Sequence, residues 1–250
     1  MRREQTMSES YQTEEEQVEA LKAWWRENGK STVFAIAIAI LGGFGWQGWQ
    51  KQQEAEQGAA SAIYQNLLTA ANGDNGVATL AQIATAKHLA ETLKTDYSGT
   101  AYAHFAALYR AKFAVEDNDL ETAATELQWV IDDGATDELR TQARLRLAKV
   151  LLAKGQLEAA LEMTVGENSG YSAAFTEVRG DILLAQGDNS AALEAYQQAR
   201  EVSANSVGGQ NPVLGLKIQQ LENTGLGERN QLNSDESLDS DSDSAAQGDA

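Results

Sequence analysis

The sequence contains no cysteine, which removes disulfides, thiol catalysis and cysteine-ligated metals. It does not remove an oxidising compartment, because a chain of 250 residues buries enough surface to fold without covalent staples. A single proline, Pro212, leaves long stretches unbroken and, with abundant Ala, Leu, Glu and Gln, favours helix. The two histidines, His88 and His104, fall on separate predicted helices with no i, i+4 partner, which is a poor start for a metal site. Bases are scarce: 19 Lys and Arg stand against 37 Asp and Glu, a net charge of −18. So acidic a chain suits nucleic acid badly, since phosphates demand a basic surface. No Gly-Lys phosphate loop and no local nucleophile motif appears. Paired carboxylates such as Asp132-Asp133 fall at a predicted helix end, in solvent. The expectation is a protein that is not an enzyme, with no cofactor and no metal.

One long apolar run is present. Ser31 to Gln50 reads STVFAIAIAILGGFGWQGWQ without a charge, about the length a helix needs to cross the hydrocarbon core. Trp46 and Trp49 close it, where indoles favour the headgroup level. A cleaved signal peptide wants small residues there instead; Gly58-Ala59-Ala60 lies too far downstream. Residues 31–50 are therefore predicted to be a transmembrane helix. Lys22, Arg26 and Lys30 precede it closely, and only Lys51 follows before Lys87, so the expected orientation is N-terminus in the cytoplasm, C-terminal domain outside it. Ala35, Ala39 and Gly43 recur at i, i+4, i+8. That stripe suits close packing against a partner helix, although small residues are also ordinary in membrane helices.

Ahead of the run, in the segment 1–30, Thr13 and Glu16 have capping-box spacing, with Glu14 and Glu15 beside them. The spacing predicts a helix from about Glu14 to Asn28, ended by Gly29 as a left-handed cap. Val18, Leu21, Trp24 and Trp25 share one face, flanked by Lys22 and Arg26. Such a helix lies on the inner leaflet or docks a cytoplasmic protein, and both readings stand. Met1 and Met7 are both plausible starts.

Residues 51–227 carry a repeated turn signature. Asn118-Asp119-Leu120-Glu121-Thr122-Ala123 matches Gly155-Gln156-Leu157-Glu158-Ala159-Ala160 and Gly187-Asp188-Asn189-Ser190-Ala191-Ala192. The spacings are 37 and 32 residues, near the 34 of tetratricopeptide repeats. In that repeat Asn or Gly ends the first helix in a left-handed cap. Small residues let the helices close: Ala111, Ala148 and Gly180 on the first, Ala123, Ala160 and Ala192 on the second. Leu127 and Tyr196 fill the larger core site, and Thr164 replaces it in the middle unit, whose second helix should end near Val165-Gly166. The signature Trp and Pro of the repeat are absent. Ala55–Ala71 and Val77–Leu93 read as a further, degenerate pair. Pro212 is expected to open a terminal helix whose Val213, Leu216 and Leu221 cover the end of the stack. The fold class is all-α, with a concave surface left for partners.

Leu139, Ala143, Leu147 and Leu151 form a core stripe on one helix, which also carries Arg140, Arg144, Arg146 and Lys149. These four cations either neutralise neighbouring acids or form a candidate partner patch. From Glu228 to Ala250 the composition turns to Ser, Asp, Gln and Gly, too polar to bury a core, so an acidic, disordered tail is expected there.

Several stretches resemble the YfgM-type ancillary subunit of the bacterial Sec translocon. They are Glu15-Glu16-Gln17-Val18-Glu19-Ala20-Leu21-Lys22-Ala23-Trp24-Trp25-Arg26-Glu27-Asn28-Gly29-Lys30, the Gly-rich anchor ending in Trp46 and Trp49, Ala62-Ile63-Tyr64, Leu145-Arg146-Leu147-Ala148-Lys149-Val150 and Leu183-Leu184-Ala185-Gln186-Gly187-Asp188. The resemblance covers about Glu14 to Leu221 and excludes the acidic tail. It implies a single-pass protein of the bacterial inner membrane with a periplasmic repeat domain, associated with the SecYEG translocon and a membrane-anchored periplasmic chaperone of the parvulin class. It also implies a link to envelope stress signalling through a cytoplasmic response regulator of the RcsB type. A membrane-tethered adaptor linking emerging polypeptides to a chaperone is the leading expectation. A regulator whose cytoplasmic helix restrains the response regulator is the alternative.

Overall fold

A computed structural model describes residues 5–73, 76–166, 170–204 and 211–224, with side chains from Glu16 onward. The acidic tail lies outside the described residues. Nine helices and no strand occur among those described: α1 (Gln5–Asn72), α2 (Leu80–Asp96), α3 (Ala101–Glu116), α4 (Leu120–Asp132), α5 (Asp137–Ala153), α6 (Leu157–Met163), α7 (Ser172–Ala185), α8 (Asn189–Ala204) and α9 (212–224). The chain divides into two compact units, one up to Ala59 and one from Ala60 onward.

The first unit is the N-terminal part of α1. Two expectations fail here. Thr13 falls inside a helix and not at its start, because α1 is already under way at Gln5. Gly29 does not end a helix, because α1 continues through it into the apolar run. The reason lies in the neighbouring side chains. A Cβ added at Gly29 would sit 3.3 Å from Trp25 Nε1, so the glycine makes room for the indole. Asn28 Nδ2 donates to the Trp24 carbonyl at 3.3 Å, and the Thr32 hydroxyl donates to the Asn28 carbonyl at 2.9 Å. Both polar groups fold back on the helix and leave its ladder unbroken. An apolar medium favours such a ladder, since it offers backbone groups no alternative partner.

The second unit is a stack of helix pairs. The last turns of α1 pair with α2, then α3 with α4, α5 with α6, and α7 with α8. Each of the last three pairs is joined by one turn design. Asn118, Gly155 and Gly187 adopt φ of 61°, 73° and 86°. The amides of Asp119, Gln156 and Asp188 donate to the carbonyls of Ala114, Leu151 and Leu183 at 2.8, 2.9 and 3.0 Å. The amides of Asn118, Gly155 and Gly187 close the inner bonds to Val115, Leu152 and Leu184. This is a Schellman cap, which a left-handed residue makes feasible. The next residue starts the second helix: Asp119 Oδ1 accepts from the Thr122 amide and Asp188 Oδ1 from the Ala191 amide. The Thr122 hydroxyl and amide together hold the Asp119 carboxyl below its ordinary range. Gln156 makes no such cap, and α6 is only seven residues long.

Small residues meet where paired helices cross. Ala123, Ala148, Ala160 and Ala192 are completely buried, and Ala111 and Gly180 nearly so. Leu127 and Tyr196 fill the larger sites between them. The stack therefore has a core running from Ala60, Leu67 and Leu93, through Leu127 and Leu147, to Val178 and Ile182.

The terminal helix sits in a different register from the expected one. Leu214, Ile218 and Leu221 face the core with α8, whereas Val213 and Leu216 are 57% and 66% exposed. Both sets have helical spacing. Capping and ion pairs select between them. Asn211 Oδ1 accepts from the amides of Val213 and Leu214, and Lys217 Nζ donates to Glu177 and Asp181 of α7 at 2.9 and 2.6 Å. Burial opposes the charge on Lys217, but these bonds outweigh it and raise its pKa. The Tyr196 hydroxyl donates to the same Asp181 oxygen at 2.7 Å. Its burial, that bond and the nearby carboxylates push the phenol well above its ordinary value.

Candidate functional site

The helices that begin the first three pairs, α1, α3 and α5, line one side of the stack, and the second unit is hollowed there. Tyr64 of α1, the face of α3 from Ala101 to Glu116 and the face of α5 from Glu138 to Ala153 line a groove of about 950 Å³. Its floor is apolar: Leu108, Leu127, Leu139 and Val150 are buried beneath it. Ala101, Ala111 and Ala153 keep the floor low. One wall is aromatic. Tyr64 lies 5.5 Å from both Tyr102 and Phe105, centroid to centroid, and 6.4 Å from Tyr109. Burial, then the neighbouring Tyr109 and Tyr102, raise the Tyr64 phenol. The other wall carries charge. Arg146 and Lys149 stand one turn apart on α5, and Lys112 on α3 pairs with Glu116 at 3.6 Å. Glu138 sits at the opposite end, at the start of α5.

The four cations of α5 do not act together. Arg140 and Arg144 border a separate depression with Thr141 and Tyr171. Arg140 donates to the carbonyls of Ile131 and Ala135 at 3.3 and 2.9 Å and pairs with Asp137 at 2.7 Å. It closes the end of α4. Arg144 donates to the carbonyls of Met163 and Val165 and lies 5.5 Å over the Phe175 ring. It closes the short α6. Only Arg146 and Lys149 face the groove. The sequence reading missed Tyr64, Phe105, Tyr109 and Lys112. Tyr102, Phe105 and Tyr109 at i, i+3, i+7 were the available signal: an aromatic face on a helix whose buried residues are mostly alanine.

The membrane-facing candidates all lie on α1 and are exposed: Leu21, Trp24, Trp25, Trp46 and Trp49, and with them Ala35, Ala39 and Gly43. Trp46 and Trp49 are 5.1 Å apart, ring to ring. An 18-residue window of α1 has a mean hydropathy of 1.4 with none of it buried, which is long and apolar enough to cross a membrane. A Cβ at Gly43 would meet nothing within 4 Å, so the stripe is open to a neighbour.

Neither histidine lines the groove, whose carboxylates among the described residues are Glu116 and Glu138. No group of three His, Asp or Glu side chains among the described residues is placed to hold a metal. His88 is exposed on α2. His104 Nε2 lies 3.1 Å from the Asp133 carbonyl and its ring packs on Trp129, pinning α3 to α4. The groove combines an apolar floor, an aromatic wall and a cationic edge.

A stack of capped helix pairs with such a groove, preceded by a long apolar helix, defines a tetratricopeptide-like repeat protein with a candidate membrane span. The family model of the tetratricopeptide repeat-like domain matches residues 22–223. A protein of Aggregatibacter actinomycetemcomitans is 37% identical over 189 residues, covering 75% of this chain and 89% of the relative. One of Haemophilus influenzae is 35% identical over 195 residues, covering 77% and 91%. One of Escherichia coli is 32% identical over 190 residues, covering 76% and 88%. Each bears the name ancillary SecYEG translocon subunit. The chain belongs to the family of these ancillary subunits. No solved structure matches it.

Proposed function

We propose that this chain is a non-enzymatic adaptor of the bacterial inner membrane, tethered by α1 beside the SecYEG translocon. Its repeat unit brings a periplasmic chaperone, of the membrane-anchored parvulin class, to polypeptides emerging from the channel. The observation that carries this reading is the match, over most of their length, to relatives named as translocon subunits. The groove supports it by supplying a surface for a partner, and the exposed apolar face of α1 supplies a tether. A pull-down in mild detergent tests it, with residues 1–28 and 55–227 deleted separately. Loss of channel and chaperone only on the second deletion supports the adaptor. Loss of a response regulator only on the first supports a stress-signalling role for the cytoplasmic segment instead.

The adaptor needs its repeat unit outside the cytoplasm. Lys22, Arg26 and Lys30 ahead of the span, against Lys51 alone directly after it, support that orientation. A reporter active only outside the cytoplasm, fused after Ala250, should be active. Activity from a cytoplasmic reporter at the same place would reverse the topology and remove the adaptor role.

Ala35, Ala39 and Gly43 are proposed as the face that meets a helix of the channel. Gly43→Leu should cut intramembrane cross-linking to the translocon, because close backbone approach is lost. Ile38→Leu should change it little. Equal yields for Gly43→Leu and the native chain would mark the stripe as lipid-facing.

A further inference from the structure

Most cations of the second unit have carboxylate partners. Lys87, Lys94, Arg110, Lys154 and Lys217 each hold one. Arg179 and Arg200 hold none among the described residues, and neither do Arg146 and Lys149, although the chain carries nearly two acids per base. Of these, Arg146 and Lys149 face the same groove. α3 and α5 run in the same direction, because each is followed by an antiparallel helix. Their C-terminal halves therefore gather Lys112, Arg146 and Lys149 at one end, with Glu116 engaged by Lys112, while Glu138 lies at the other. An occupant of this end must bring negative charge, and the aromatic wall and apolar floor beside it suit an interspersed apolar side chain.

The chain contains such a segment. Residues 235–243 read DESLDSDSD, five acids in nine residues around Leu238. The match to the repeat family ends at residue 223, so this segment is additional to the shared fold. Reach is sufficient. α9 packs on α7 through Lys217, and α7 packs on α5. At about 8–10 Å per helix-packing step, α5 lies roughly 20 Å from α9. The residues between Thr224 and Asp235 span up to roughly 36–40 Å when extended.

We propose that the acidic segment 235–243 occupies the α3–α5 groove of its own chain, setting its carboxylates against Arg146, Lys149 and Lys112 and Leu238 against the aromatic wall. A tethered segment competes at an effective concentration on the order of millimolar. The tail is thus a built-in competitor, and a groove partner must displace it, most readily with an acidic segment of its own. This goes beyond the adaptor reading and does not depend on it, since segment and groove belong to one chain.

The absence of native cysteine allows clean labelling. Spin labels on Ala153→Cys, at the groove's cationic end, and on Ser240→Cys report their separation by pulsed electron resonance. The sample is the full chain in detergent, diluted with unlabelled chain. A short-distance population is expected in low salt and should shrink in 1 M salt through screening. Arg146→Glu with Lys149→Glu should reduce the ratio of short to long distances at least about fivefold, the scale expected when two surface attractions become repulsions. Replacing the five acids of 235–243 by lysine in that background should restore it, which separates lost attraction from lost structure. An unchanged distribution after charge reversal, or one without a short population, overturns the proposal. So does a short population that disappears on dilution with unlabelled chain, because the occupant would then be a second copy. The experiment contains no translocon and no chaperone, so its failure leaves the adaptor reading intact, and a failed pull-down leaves this inference intact.

Discussion

Gly180→Leu is expected to lower the melting temperature of the full chain by roughly 5–10 °C and to abolish partner capture through lost structure. Gly180 lies on α7 where α8 crosses it. A Cβ there would be 2.5 Å from Tyr196 Cε1 and 2.6 Å from Cδ1. The ring cannot swing aside, because Tyr196 is completely buried and its hydroxyl is bonded to Asp181. Any side chain at 180 therefore pushes the helices apart. Overpacking of this kind costs about 1–3 kcal/mol, and lost alignment of the Tyr196–Asp181–Lys217 bonds adds to it. In a stack, each pair is stabilised by its neighbours, so the damage spreads to α9 and towards α5. Gln198→Leu, exposed on α8, is the control and should melt within a degree or two of the native chain. A Gly180→Leu chain that melts at the native temperature and still captures partners would show that the α7–α8 crossing does not depend on a missing side chain.

The second large effect centres on Glu126. This carboxylate on α4 is almost completely buried and accepts bonds from Lys94 of α2 at 2.6 Å and from Arg110 of α3 at 2.9 Å. Arg110 also reaches Glu91 of α2, and Lys94 lies 4.9 Å over the Trp129 ring. Three helices are thus tied at one buried charge. Arg110→Met leaves Glu126 with one partner instead of two. Removing a partner from a buried pair is costly, about 3–5 kcal/mol when the remaining charge stays uncompensated, and the lower end applies because Lys94 remains. A lower urea midpoint by circular dichroism is the expected reading. The triple variant Lys94→Met, Arg110→Met, Glu126→Leu should recover most of that loss, because it removes the desolvated charges together. If the triple variant is less stable than Arg110→Met alone, the ion cluster itself holds α2, α3 and α4 together, and the surrounding apolar packing does not suffice.

What the sequence by itself determined was most of what depends on near neighbours along the chain. The turns at Asn118, Gly155 and Gly187 were legible because a left-handed cap and the N-cap after it are built within six residues. The helix pairs followed from those turns, and the apolar run from its length alone. The shortened α6 was legible too, through Thr164 where a bulky residue was expected. Tertiary structure decided whatever needed residues from several helices at once. Gly29 is a failure within a single helix: it reads as a cap, yet the Trp25 indole against it and the apolar run behind it keep the helix going. Val213 and Leu216 fit a buried stripe as well as Leu214 and Ile218 do, until Lys217 must reach Glu177 and Asp181 on α7. The four cations of α5 are equivalent along the sequence, but stacking turns two towards helix ends and two towards the groove. The groove itself joins Tyr64 to Ala153 across four helices. It exists because packed pairs superpose with a small rotation each, and no window of sequence contains that rotation.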